Sequence, residues 1–251
     1  MEKGINWYRI TTVFLLGIIL LLGVNYYLDL QLEDSYSENS YQNGDYESYD
    51  SKDSEYAQKI PTATYRNIPK HFEWEYGFST WYYDISIPSQ NYNFYLNEPR
   101  GPTASTYYLT YEDPVIISIA NKLTEVAEEK EYSKSEFVAA FIQSLHYVPD
   151  ERVGYDEYPK FPIETLVEAT GDCEDMAYLT ASILLAMNID TVLVLFEDHM
   201  GVGVRCGNCD GSYYDYDGQE YFYLETTASG YGLGDMPKEY EEEKARIIRL
   251  Y

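Results

Sequence analysis

Residues 171–188 read GDCEDMAYLTASILLAMN. Asp172 is a good helix N-cap, because its short carboxylate accepts a hydrogen bond from the first unpaired helical amides. Behind it, Ala177, Leu179, Ala181, Ile183, Leu184, Leu185 and Met187 leave little polar surface. A helix apolar nearly all round belongs inside a molecule, so the helix predicted from Cys173 to Asn188 is central.

Working outward, Thr191 to Phe196 is a β-branched run, followed by His199 and then Gly201-Val202-Gly203-Val204. Another strand, Tyr221 to Thr226, follows the Asp217-Gly218 turn, and Ala245 to Leu250 suits a last strand. Upstream, Asp113-Pro114 opens a helix with Ile116, Ile119, Ala120, Leu123 and Val126 at helical spacing. Ser133 with Glu136 three residues on is a capping box for a second helix, carrying Phe137, Val138, Phe141, Ile142 and Leu145. Pro162 starts a short helix to Glu168. Helices first and an antiparallel meander after give an α+β order.

Residues 61–113 alternate aromatic and polar positions and are punctuated by Pro and Gly, so short strands and turns are expected there, covering one side of the domain. Residues 31–59 hold eight acids, two Lys, six Ser and five Tyr, with almost no aliphatics. Such a stretch cannot bury enough apolar surface to order itself, so 29–60 reads as a self-repelling acidic linker.

Thr11 to Leu28 carries no charge. At the helical rise its 18 residues come to roughly 27 Å, close to a bilayer core. The run is longer than the apolar region of a usual signal peptide, and bulky Asn25-Tyr26-Tyr27-Leu28 follows where a cleavable leader has small residues. An uncleaved single-pass anchor over 11–28 is expected. Lys3 and Arg9 precede it and acids follow it, so residues 1–10 are assigned to the cytoplasm and the bulk of the chain to the far side of the cell membrane.

The 251 residues carry 17 basic and 43 acidic side chains, a formal charge of −26. Phosphate backbones are repelled by such a surface, which argues against nucleic acid as a partner. Hydrophobic residues make up 45%, enough for a core, and three Cys are too few for a disulfide scaffold. The 30 Tyr suit half-buried strands and wet surfaces.

Few chemical constellations remain. Cys173 opens the central helix, where orphan amides and the helix dipole favour a thiolate and can hold an oxyanion. His199 lies 26 residues on, at a strand end, and Glu225 a further 26 residues on, in the neighbouring strand. A carboxylate beside an imidazole holds one tautomer, so the three read as nucleophile, base and orienting acid for acyl transfer.

Three blocks also carry a resemblance: Gly171-Asp172-Cys173-Glu174-Asp175, Asp198-His199-Met200-Gly201-Val202-Gly203-Val204, and Tyr223-Leu224-Glu225-Thr226-Thr227. In order and with fitting elements, they resemble the transglutaminase-like superfamily, closest to its bacterial and archaeal cysteine-protease-like branch. The stretches 141–150 and 162–166 are similar to that branch too, and the likeness covers roughly 114–235. It implies a papain-like core within 114–251, with the nucleophile helix packed on an antiparallel sheet. By carry-over, Cys173 is the nucleophile, His199 the general base and then acid, and Glu225 the orienting carboxylate, where the family more often has Asp. Gln143 is a candidate oxyanion donor by the same likeness, with a plain helix-surface residue as the alternative.

Asp172, Glu174 and Asp175 flank the nucleophile, and Asp150, Glu151, Asp156 and Glu157 precede it in an acidic loop. Clustered carboxylates suit Ca²⁺, a hard cation; the alternative is solvated charge in an acidic chain. No other cofactor is required. Cys206 and Cys209 form a C-x-x-C between two strands without a second pair to complete a zinc site, so a disulfide comes first, a shared intermolecular metal second and redox catalysis last. The expectation is a membrane-anchored, extracytoplasmic cysteine hydrolase acting on protein or peptide substrates through an acyl-enzyme. The rival is a non-catalytic binding module on the same fold at the cell envelope.

Overall fold

A computed structural model of the chain describes residues 66–150 and 158–250. The expected tail, anchor and linker over 1–60 lie outside the described residues, as do Glu151, Asp156 and Glu157. Among the described residues, no helix is long and apolar enough to cross a membrane.

The described chain opens with β1 (Asn67–Tyr76) and β2 (Ser79–Pro88), an antiparallel hairpin in register from Asn67 opposite Pro88 to Tyr76 opposite Ser79. Its turn, Gly77-Phe78, takes positive φ at both residues (61° and 63°), the geometry that matches strand twist in a two-residue hairpin. Alternation turns Phe72 and Trp74 inward, where they meet Phe141 with ring centroids 5.2 and 5.1 Å apart.

The expected β-cover is only partly strand. A helix, α1 (Ser89–Asn97), follows the hairpin, and a 3₁₀ turn spans Thr106–Tyr108. Gln90, Asn91, Asn93 and Asn97 break up the apolar period of α1, and none of its residues is fully buried. Contacts through hydroxyls fix it instead: Tyr95 donates to Asp113 Oδ2 (3.0 Å) and Tyr92 to Glu168 Oε1 (3.1 Å).

The next helices start where their caps stand. In α2 (Pro114–Lys130), Asp113 Oδ1 accepts from the Val115 N–H at 2.8 Å, and Pro114 fills the first turn. In α3 (Lys134–Ile142), the Ser133 side chain accepts from the Glu136 N–H. A short parallel bridge between β3 (His146–Tyr147) and β4 (Thr170–Gly171) brackets α4 (Pro162–Glu168).

The central helix, α5 (Cys173–Ala186), ends slightly short of the predicted Asn188. Met176 to Leu179, Ala181, Ile183 and Leu184 are fully buried, because α2, α3 and α4 surround the helix on one side and the sheet on the other. Two of its buried polar side chains are met by loop amides: Tyr178 Oη accepts from the Ala104 N–H (2.9 Å), and Ser182 Oγ from the Thr110 N–H (3.0 Å).

Five strands form the antiparallel sheet: β5 (Thr191–Leu195), β6 (Met200–Arg205), β7 (Tyr213–Tyr216), β8 (Gln219–Leu224) and β9 (Arg246–Arg249). Their order is β7-β8-β6-β5-β9, so β7 lies outside β8 and the sheet is not a sequential meander. Cys206 and Cys209 form a disulfide in the β6–β7 connection, with Cα atoms 5.8 Å apart. The mixed helices and antiparallel sheet make an α+β core. Register then sets the site. Leu195 pairs with Met200 and Val202 with Leu224, so the β5–β6 turn and the end of β8 emerge side by side at one sheet edge.

Candidate active site at the sheet edge

Cys173 is the first residue of α5. Asp172 caps the helix by accepting from the Asp175 N–H (3.4 Å). Gly171 precedes them because a Cβ there would lie 2.7 Å from the Asp175 Cβ. The backbone N–H of Met200, the residue after His199, bonds the Cys173 sulfur. The helix start and the β5–β6 turn therefore meet at this thiol.

Across that turn, His199 Nε2 lies 3.1 Å from Glu225 Oε2. The other ring nitrogen, Nδ1, is not the one that faces Glu225. Glu225 is buried and fully occupied. Oε2 also accepts from Tyr223 Oη (2.8 Å), while Oε1 accepts from the Thr226 N–H (3.0 Å), the Thr227 N–H (2.7 Å) and Thr227 Oγ1 (2.6 Å). Burial alone would raise its pKa; the hydrogen bond and charge of His199, with the Thr227 donors, reverse this and hold the carboxyl at about 2. The two oxygens divide their roles: Oε1 caps the chain after β8 while Oε2 faces the imidazole.

The thiol departs from the sequence expectation. Burial raises its pKa, the charge of Glu174 and a hydrogen bond from Sγ to Glu174 Oε2 (3.2 Å) raise it further, and Asp172 adds to this. The Met200 amide opposes them and is outweighed. The N-terminal helix position favours a thiolate, but burial, joined by two carboxylates within one residue of the sulfur, reverses the balance.

Gln143 caps the end of α3, and its Nε2 donates to the Glu225 backbone carbonyl at 2.8 Å. One amide hydrogen of the candidate oxyanion donor is thus spent on holding the end of β8.

Asp172 and Glu174 of the expected acidic set come together with Asp150, their carboxylate oxygens lying within 4.8 Å of one another, all three buried. Burial and the repulsion of Asp175, Glu174 and Asp150 raise the Asp172 pKa. Asp175 turns elsewhere: Oδ1 accepts from the Lys160 N–H (2.6 Å) and Oδ2 faces Lys160 Nζ at 3.6 Å.

Two residues are missing from the sequence reading. Tyr240 stacks on the His199 ring with centroids 4.7 Å apart and planes 5° from parallel, and Phe196 stacks on Tyr240 at 4.7 Å. The Glu197 N–H donates to Glu243 Oε1 (2.7 Å), tying the Tyr240 segment to the β5–β6 turn. Tyr223, the second, lies over Gly201, where a Cβ would be 2.6 Å from its ring. The alternating glycines of β6 were the one sequence signal for such an overlay; Tyr240 sits in a turn-rich segment with no pattern of its own.

Residues 109–224 match the model of a family described as a transglutaminase-like domain. This shows the likeness that the three motif blocks carry; Cys173, His199 and Gln143 fall inside the match and Glu225 one residue beyond it. A crystal structure of a protein from Parabacteroides distasonis, provisionally described as a protease, is 16% identical with a TM-score of 0.32; the match covers 65% of this chain and 37% of that one. No curated protein matches the chain.

Proposed function

We propose that the chain is a membrane-anchored, extracytoplasmic cysteine hydrolase that cleaves peptide or amide bonds. The observation that carries this is the chain of contacts from Glu225 to His199, and from the Met200 amide to the Cys173 sulfur. His199 Nδ1 takes the thiol proton as Sγ bonds the substrate carbonyl carbon. The C–N bond breaks, the imidazolium gives that proton to the leaving amine, and an acyl-enzyme remains. Water, deprotonated by His199, then attacks the acyl carbon, and the thiol recovers its proton as the acid leaves. Glu225 stays ionised throughout and holds the ring in place.

Asp150, Asp172 and Glu174 would hold Ca²⁺: three buried carboxylates offer the oxygen donors a hard cation takes. The bound ion would supply positive charge beside a thiol now surrounded by acids. For the anchor, the support is the uncharged run over 11–28, with 29–60 as its tether. The Cys206–Cys209 disulfide suits a domain on the oxidising side of a membrane.

A second reading, a non-catalytic binding module, is favoured by one observation: the thiol is bonded to Glu174 and its pKa is raised. Incubation with a peptide library and mass spectrometry of the intact chain, with and without Ca²⁺, separates the two. An acyl adduct on Cys173, absent from Cys173→Ala, is expected. Labelling by a thiol-directed electrophile undiminished in Cys173→Ala would show the nucleophile to be wrong, and no adduct under any condition would leave the binding module.

A further inference from the structure

The acyl transfer makes no use of the β1–β2 hairpin, yet Trp74 and Tyr76 form one wall of a groove of about 380 Å³. Its floor is α3, and its other wall is the segment 229–232 after β8. Glu136, Ala140 and Gln143 share one face of α3 and line the floor, a run of roughly 10 Å at the helical rise. The inner end is Gln143, whose amide holds the Glu225 carbonyl, so the groove begins against the strand end that carries the triad acid.

The outer end is Glu136. Its Oε2 accepts from Tyr76 Oη at 3.1 Å and its Oε1 from the Leu233 N–H at 3.2 Å, which pins the two walls at a fixed spacing. Gly232 permits that approach, since a Cβ there would lie 2.8 Å from Glu136 Oε1. The groove is therefore formed before any ligand arrives.

Its chemistry is one-sided. Glu136 lines it with Trp74, Tyr76 and Tyr231, and no Lys, Arg or His does. Each Glu136 oxygen accepts one bond and keeps a further lone pair. A carboxylate among aromatic rings, without a cation to balance it, is suited to an ammonium or guanidinium group.

We propose that this groove is a substrate subsite that takes the basic side chain, Lys or Arg, of a residue near the bond Cys173 attacks. The assignment rests on the hydrolase reading and adds a substrate class to it. The hairpin is then the wall that selects the substrate.

The test uses the full chain as Cys173→Ala, so that binding is read without turnover. Acetyl-arginine amide and the uncharged acetyl-citrulline amide are titrated while backbone amide shifts are followed by NMR. Arginine is expected to bind at least about tenfold more tightly, the size of one charge-assisted hydrogen bond, with shifts centred on 229–232. Glu136→Gln should move arginine towards the citrulline level and leave citrulline unchanged, and Glu75→Gln, on the outer face of β1, should change neither. Ala140→Arg, which puts a guanidinium on the floor, should abolish binding even if Glu136→Gln disturbs the walls. Equal binding of the two amides, or shifts elsewhere on the acidic surface, would overturn the assignment. Wild-type chain that cleaves no peptide, alongside arginine binding as described, would remove the hydrolase reading and keep the cation groove.

Discussion

The Cys173 sulfur donates its hydrogen bond to Glu174 Oε2 at 3.2 Å, the side chain next to it in sequence. A nucleophile held by its own neighbour is restrained, and the restraint is removable. In Glu174→Gln the charge that raises the thiol pKa is gone, so the onset of alkylation should move to lower pH. The rate at pH 8 should rise roughly tenfold, about what one pK unit gives. Iodoacetamide labelling across pH measures it. Added Ca²⁺ should speed labelling of the wild type and leave Glu174→Gln nearly unchanged; equal acceleration of both would place the ion elsewhere.

Glu225 contributes stability that depends on acid. Its folded pKa of about 2 lies below the ordinary carboxylate value, so the contribution is complete above about pH 4.5 and is lost as pH falls through 2. From that shift the contribution is on the order of 3 kcal/mol. Urea midpoints of wild type and Glu225→Gln should differ most at pH 6 and converge towards pH 2. Glu225→Asp should rescue little activity, since a carboxylate one methylene shorter cannot serve both His199 and the Thr227 amide.

Tyr240 acts through its ring rather than its hydroxyl. Tyr240→Phe keeps the face that lies against His199 and should retain kcat. Tyr240→Ala frees the imidazole to rotate and should lower kcat on the order of tenfold, with KM little changed, the loss expected for a misaligned base. The His199 ring-proton NMR shift gives a second reading, because stacking moves it and the alanine variant removes that effect. Equal losses in both variants would show that the hydroxyl matters instead.

Gly201→Ala should be destabilising out of proportion to one methyl. The new carbon would sit 2.6 Å from the Tyr223 ring and 2.7 Å from its hydroxyl, so the ring that donates to Glu225 must move. A cost of about 1–3 kcal/mol is expected from such overpacking, together with loss of activity. Thermal unfolding of Gly201→Ala and of Gly201→Ala/Tyr223→Phe tests it. Recovery of stability in the double variant would mean that the hydroxyl alone was in the way.

Much of the molecule was legible because its signals are local. Asp113, Ser133 and Asp172 cap the helices that follow them, and the imidazole and carboxylate residues stand at strand ends that register sets side by side. What escaped depends on tertiary partners. The helix α1 has no aliphatic stripe; Tyr92 and Tyr95 pack on the core and their hydroxyls reach carboxylates across the fold. Tyr240 reaches His199 from a turn, whereas Asp150, named from the acidic loop in the sequence, does join Asp172 and Glu174. The acids beside Cys173 stand in plain view in the sequence; the burial of the thiol, the largest cause of its raised pKa, depends on the fold.

The bond from Gln143 to the Glu225 carbonyl has a consequence for how the chain can vary. One amide stands between a helix facing the aromatic hairpin and the strand end bearing the acid of the triad. In the hydrolase proposed above, a change of substrate preference made by reshaping that helix would therefore be transmitted to Glu225. Selectivity and turnover share a hinge pin here, and drift in one should leave a trace in the other.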